Sequence, residues 1–275
     1  MEAQVSKADC GAGPKEVPGA NALGPACEDD VFLSPHSDDV CFSLGLQACA
    51  RSKGTLLTVF PVSSYTAATP HGDRNRSAAI TQLRLDEDSV FARAARLRAC
   101  YLPYQDAQMR GQAPFDPRPA IGLVGAIEAR LVKALMSPMI GRRPGQFAWL
   151  FCPAAIGGHV DHIAVLLAVL KHRDILGKHY RLAFYEDLHY ASDAARRQRG
   201  LDNLHRLLPG AAMQHVVWLL DEAQQTAKMR LVRLQRSQLT PQINTIAAFT
   251  PAVPKGLPPH EAVWVLQSDR HQRPG

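Results

Sequence analysis

The sequence predicts an α/β fold, a mostly parallel sheet in a single domain with helices packed on both faces. Short apolar runs alternate with segments of helical period along most of the chain, the pattern of strand–helix–strand units. The runs are brief and rich in β-branched and aromatic residues, which favours strands over helix fragments. At 275 residues with 46% hydrophobic content, the chain is long and apolar enough to bury a sizeable core.

In chain order, strands are expected at 30–34, 55–62, 98–102, 147–153, 181–185, 215–220 and 262–266. Helices are expected between them at 40–52, 77–96, 121–136, 160–172, 191–207 and 222–235. Leu83, Val90, Ala94 and Leu97 recur at helical spacing, as do Ile163, Leu167 and Leu170. Residues 1–28 are rich in Gly, Ala, Pro and polar residues without period, so a flexible N-terminal tail is expected there. The polar stretch 268–275 reads as a second tail, which leaves 29–267 as the folded domain. The segments 65–75 and 238–260 are long, loop-like and candidates for the walls of a site.

Bulk properties narrow the partners. The net charge is +6, but arginines such as Arg93, Arg96, Arg142, Arg196 and Arg197 are scattered, mostly over helix candidates. Without a Lys/Arg stripe, and with 7% aromatic residues, no nucleic-acid partner is expected. The six cysteines form no CxxC pair. Cys41, Cys49, Cys100 and Cys152 sit in apolar surroundings, as small buried thiols of a reducing compartment do, while Cys10 and Cys27 fall in the tail. There is no cationic start followed by an apolar run, and no stretch near the roughly 18 apolar residues of a membrane span. A cytoplasmic protein acting on a small molecule is the expectation.

Two motifs carry the chemistry. The first expected strand ends in Ser34-Pro35-His36-Ser37-Asp38-Asp39. The carboxyl edge of a strand is where an open α/β sheet places its ligands. A histidine and a carboxylate three residues apart across a turn can converge on one cation, and both donor types suit zinc. Of two adjacent aspartates, one can ligate while the other addresses a water that the metal acidifies. Capping the helix that follows would need one such side chain, not three.

The second motif, Gly157-Gly158-His159-Val160-Asp161-His162, follows another apolar strand and precedes an apolar helix. One histidine can complete a His–Asp–His metal site. The other is then left to stabilise an oxyanion or protonate a leaving amine, with Asp161 orienting His159. Paired glycines would let the backbone approach a ligand closely.

Together the motifs resemble the LmbE-like (PIG-L) family of zinc-dependent N-acetylglucosaminyl deacetylases. That resemblance implies a Rossmann-like fold. It also implies His36, Asp39 and His162 as metal ligands and Asp38 as general base. His159 would be the oxyanion or leaving-group residue, with Asp161 behind it. Arg84-Leu85-Asp86-Glu87 matches the family's R-x-x-E, which implies that Arg84 faces a sugar. Asp106 falls where the family contacts sugar hydroxyls, and Tyr185-Glu186-Asp187 resembles a segment of branches acting on larger glycoconjugates. Proline precedes His36 instead of following it, and Val40 stands where the family has glutamate. The implied activity is hydrolysis of an N-acyl, most simply N-acetyl, group on an amino-sugar compound. A non-sugar amide is the alternative substrate, and the donor set would take zinc or iron(II).

Overall fold

The computed structural model describes residues 3–9, 12–18, 23–69, 71–137, 148–254 and 256–267, of which 3–9 and 12–18 as backbone. Among them, nine strands form one sheet. They are β1 (Ala3–Asp9), β2 (Ala12–Pro18), β3 (Val31–Ser34), β4 (Thr55–Thr58), β5 (Arg98–Tyr101), β6 (Ala148–Pro153), β7 (Tyr180–Tyr185), β8 (Met213–Leu219) and β9 (His260–Leu266). The helices are α1 (Asp39–Arg51), α2 (Ser77–Ala95), α3 (Ala120–Leu135), α4 (Val160–Lys171), α5 (Arg173–Leu176), α6 (Ala194–Leu207) and α7 (Glu222–Val232).

The spatial order is β2-β1-β8-β9-β7-β6-β3-β4-β5. Parallel pairs join β5, β4, β3, β6 and β7, and β1 and β9 alone run against the common direction. The chain builds outward from β3 through β4 to β5, then returns to the other side of β3 for β6 and β7. Strand order therefore reverses between β3 and β6. Such a reversal opens a crevice beyond the carboxyl ends of the two strands. Both sequence motifs begin there.

β3, β4 and β6 are buried along their whole length because both faces are covered. Val31, Leu33 and Leu57 join Ile127 and Leu131 of α3 and Val165 of α4 in one core cluster. The alternate residues Phe32, Leu56 and Phe151 join Val40 and Leu44 of α1 and Phe91 of α2 in another. No helix among the described residues is long and apolar enough to cross a membrane.

Three departures from the sequence reading have local causes. Where a flexible tail is expected over 1–28, the backbone of β1 runs antiparallel along β8, and β2 runs antiparallel along β1. The backbone donors and acceptors of a sheet edge accept a strand whatever its side-chain pattern. Leu23 is packed in as well: it is buried and its carbonyl accepts the Trp149 indole N–H at 2.8 Å. β4 stops at Thr58, because the next two amides, Val59 and Phe60, donate to the Ser34 and Pro35 carbonyls at the start of the first motif. The last predicted helix ends at Val232 and continues as the 3-10 turn Arg233–Gln238. The expected tail at 268–275 lies outside the described residues.

α1 is tied to the sheet through a buried charge pair. The helix breaks at Leu44 (φ −129°, ψ 25°). The Leu46 and Gln47 amides beyond the break donate to the two oxygens of Glu261 on β9, each at 2.9 Å. Lys228 Nζ of α7 meets Glu261 Oε1 at 2.5 Å, and neither side chain is exposed. Lys228→Met would leave Glu261 as a buried anion held by amides alone. A stability loss of about 3–5 kcal/mol is expected in urea unfolding. An unchanged midpoint would show that the two amides suffice.

Candidate active site

The crevice between β3 and β6 holds a compact set of donor atoms. His36 leaves the turn after β3, Asp39 opens α1, and His162 lies in the first turn of α4. His36 Nδ1 is 3.3 Å from His162 Nε2 and 3.3 Å from Asp39 Oδ2, while His162 Nε2 is 3.3 Å from Asp39 Oδ1. A tetrahedral zinc with ligand bonds of about 2.0–2.1 Å has ligand–ligand edges of roughly 3.3–3.4 Å. The two imidazoles and the Asp39 carboxylate, which meets each ring through a different oxygen, form a triangle of groups with that edge spacing. His159 also places a nitrogen within 4.8 Å of those of His36 and His162, but the spacing is looser and its Nδ1 is engaged elsewhere, so Asp39 is the better third donor.

Buried carboxylates fix which nitrogen of each ring is free. Asp161 Oδ2 accepts from His36 Nε2 at 2.9 Å, and Asp187 Oδ1 accepts from His162 Nδ1 at 2.7 Å. A carboxylate can only accept, so the lone pairs of His36 Nδ1 and His162 Nε2 turn toward each other. The carboxylates are held in turn. Asp161 also accepts the Ala107 amide at 3.0 Å and the Arg110 guanidinium, and Asp187 accepts the Ile156 amide at 2.9 Å.

The field at this point is strongly negative. Burial opposes charge on His36, yet hydrogen bonds and attraction from Asp161 and Asp39 push its pKa up to about 10. Burial likewise works against an ionised Asp39, but the neighbouring His162 and His36 hold it well below the usual carboxylate range. Arranged this way, the donors bind a proton tightly where they would otherwise bind a cation.

Asp38 does not cap α1 despite standing at its N-cap position. Its Oδ1 accepts from Arg84 Nη2 at 2.8 Å, and it lines a cavity of about 670 Å³ that opens over the donor triangle. His159 caps α4 through Nδ1, which accepts the Asp161 amide at 3.2 Å. Burial, then the charges of His36 and His162, drive the His159 pKa well below its ordinary value. The neutral ring therefore carries its proton on Nε2, as a hydrogen-bond donor.

Several sequence expectations need correction. Asp161 backs His36, not His159, whose Nδ1 is 4.0 Å from the nearer carboxylate oxygen. Arg84 lines the cavity and, besides, commits its terminal nitrogens to Asp38 and, at 2.8 Å, to Ser63 Oγ, so it holds Asp38 in place. Gly157 (φ +98°) makes room for protein, not ligand: a Cβ there would lie 2.5 Å from the Tyr190 ring. Asp106 reaches the cavity with one oxygen bonded to the Met109 amide at 2.8 Å. Of the two loops expected as walls, 65–75 contributes Tyr65 and His71, whereas 238–260 contributes Gln238. The segment 106–115 supplies a larger share, which the sequence reading missed beyond Asp106.

Asp187 is the functional side chain that the sequence reading left without a role. Its position directly after a strand neighbouring β6 was the available signal. The adjacent Glu186 is structural: it is buried against Arg197, His215 and the Trp264 indole.

No protein-family model matches the sequence. A 2'-N-acetylparomamine deacetylase from Streptomyces fradiae is 36% identical over 197 residues, and the match spans 66% of each chain, about two thirds of the relative's length. Among solved structures, the deacetylase of the antimicrobial A40926 pseudoaglycone superimposes with a TM-score of 0.63 at 21% identity, covering 86% of this chain and 96% of that one. The zinc-inhibited form of a teicoplanin deacetylase gives 0.59 at 18% identity, covering 87% and 98%. At these identities the structures establish a shared fold.

Asp187→Asn keeps the shape but weakens the acceptor for His162 Nδ1–H. Zinc affinity, measured by chelator competition, is expected to fall roughly ten- to hundredfold; affinity equal to that of the native protein would remove His162 from the donor set.

Proposed function

We propose that this chain is a metal-dependent N-deacetylase that hydrolyses the acetamide of an amino-sugar compound, such as an intermediate in antibiotic assembly. The observation that carries the reading is the zinc-sized triangle of His36, Asp39 and His162 with the Asp38 carboxylate, held by Arg84, beside it in the cavity lining. The deacetylase from Streptomyces fradiae supports the reaction type, and its printed substrate supports the amino sugar. The catalytic unit is the domain over 29–267, with Leu23 packed against it. Free thiols at Cys41, Cys49, Cys100 and Cys152 fit a reducing, cytoplasmic setting.

Zinc on these ligands supplies Lewis acidity and a water acidic enough to ionise near neutral pH. Asp38 takes the proton of the attacking water. Arg84 engages Oδ1 of that carboxylate and so leaves Oδ2 to the proton. His159 donates its Nε2–H to the acyl oxygen as negative charge builds on it. The new carbon–oxygen bond forms, the carbon–nitrogen bond breaks, and the proton held by Asp38 passes to the departing amine. Acetate and the free amino compound result. Asp106, which lines the cavity, accepts from a substrate hydroxyl.

Asp38→Asn should lower kcat for acetate release by about a hundredfold or more while zinc still binds. Activity near that of the native protein would exclude Asp38 as the base. Stripping the metal should abolish turnover, and adding back zinc or iron(II) in separate arms identifies the ion that works. A non-sugar amide cleaved faster than every acetylated amino sugar would move the substrate class to the alternative.

A further inference from the structure

Of the phenylalanine and tyrosine rings that line the cavity, Phe115 is the exposed one. Phe115 lines the cavity and is 58% exposed. An exposed apolar ring in a loop is ordinary where nothing holds it, but this one is held. Its ring stands edge-on to His159 (5.6 Å between centroids, 80°) and to Tyr190 (6.0 Å, 81°). The backbone on either side is fixed as well. The Pro114 carbonyl accepts the Val160 amide at 2.7 Å, and the Asp116 amide donates to the Ala113 carbonyl at 3.1 Å. Asp116 in turn accepts the Arg118 amide at 3.1 Å and its guanidinium.

A rigid aromatic ring with much of its surface open is a preorganised platform, because it loses little entropy when something stacks on it. Its place sets what that something is. His159 lies 4.8 Å from His36 by ring centroids, so Phe115 is two ring-to-ring steps from the donor triangle. The path from the triangle past His159 leads to Phe115, so a substrate with its amide at the triangle and a second ring along that path would set that ring on Phe115. The cavity, about 670 Å³, is in the range of roughly 300–1,000 Å³ that holds drug-sized ligands, more than one acetylated sugar ring requires.

We propose that Phe115 forms a second subsite, which selects substrates whose acetylated amino sugar is joined to another ring and stacks on that ring's apolar face. This inference rests on the amino-sugar deacetylase reading and adds the size class of substrate to it. Phe115 is then a specificity-determining residue: it contacts the part of the substrate that does not react, so its effect falls on KM.

The test compares cyclohexyl N-acetylglucosaminide with methyl N-acetylglucosaminide, in both anomeric forms, which differ only in whether a ring occupies the second position. The native protein should favour the cyclohexyl compound in kcat/KM by about tenfold, through KM. Phe115→Ala should bring that ratio close to one, and Phe115→Trp should keep it. Equal efficiency on the two glycosides, or a preference that Phe115→Ala leaves intact, overturns the subsite alone. Hydrolysis of neither glycoside by the native protein overturns the amino-sugar reading and the subsite with it.

Discussion

Two imidazole lone pairs and a carboxylate, each 3.3 Å from the next, repel one another unless positive charge lies between them. Keeping them there costs free energy that the surroundings must offset, and the surroundings are built to do so. Asp161 and Asp187 fix the two tautomers from behind. The Ala107 and Ile156 amides and the Arg110 guanidinium fix the two carboxylates. Those groups lie at or beyond the ends of β5, β6 and β7, so the rigidity of the parallel sheet is handed to the donor atoms within two hydrogen-bonded steps. The Asp39 side of the triangle is anchored differently, through α1 and the Glu261 carboxylate that replaces the helix's own hydrogen bonds at its break.

The strand ends also explain why neighbouring acids have opposite duties. Glu186 and Asp187 are consecutive residues after β7, both fully buried. Successive side chains of extended backbone point to opposite sides. Asp187 turns to His162, whereas Glu186 turns to Arg197, His215 and Trp264 and joins α6 to the antiparallel part of the sheet. Asp38 and Asp39 divide their work for a related reason. The turn into α1 aims Asp39 at the two imidazoles and leaves Asp38 facing Arg84 and open space. One acid is a donor to a cation, and the other is free for proton transfer.

Around this polar floor the wall of the cavity is assembled largely from segment 106–115, which is fastened to the second motif at three points. The Ala107 amide and the Arg110 side chain reach Asp161, and the Pro114 carbonyl reaches the Val160 amide. The groups that would bind a substrate and those that would bind a metal thus share a carboxylate. This coupling is a consequence of topology. β5 lies at the far edge of the parallel strands, and the chain must pass over their carboxyl ends on its way to α3.

The sequence by itself determined the alternation of strands and helices, and with it the parallel sheet. It also determined the two motifs at strand ends, because the periodicity of apolar residues and the clustering of His and Asp are local properties. His36, Asp38, Asp39, His159 and His162 were legible for that reason. What each side chain faces was not local. Whether Asp161 backs His159 or His36, that Arg84 meets Asp38, and that Asp187 backs His162 depended on contacts between residues 25 to 125 positions apart. The strands β1 and β2 escaped detection too, since the pairing of β2 with β1 and of β1 with β8 is made by backbone groups that every residue carries. Tertiary structure decided these points because a hydrogen bond is set by which strand ends the topology brings together, and that information is spread over the whole chain.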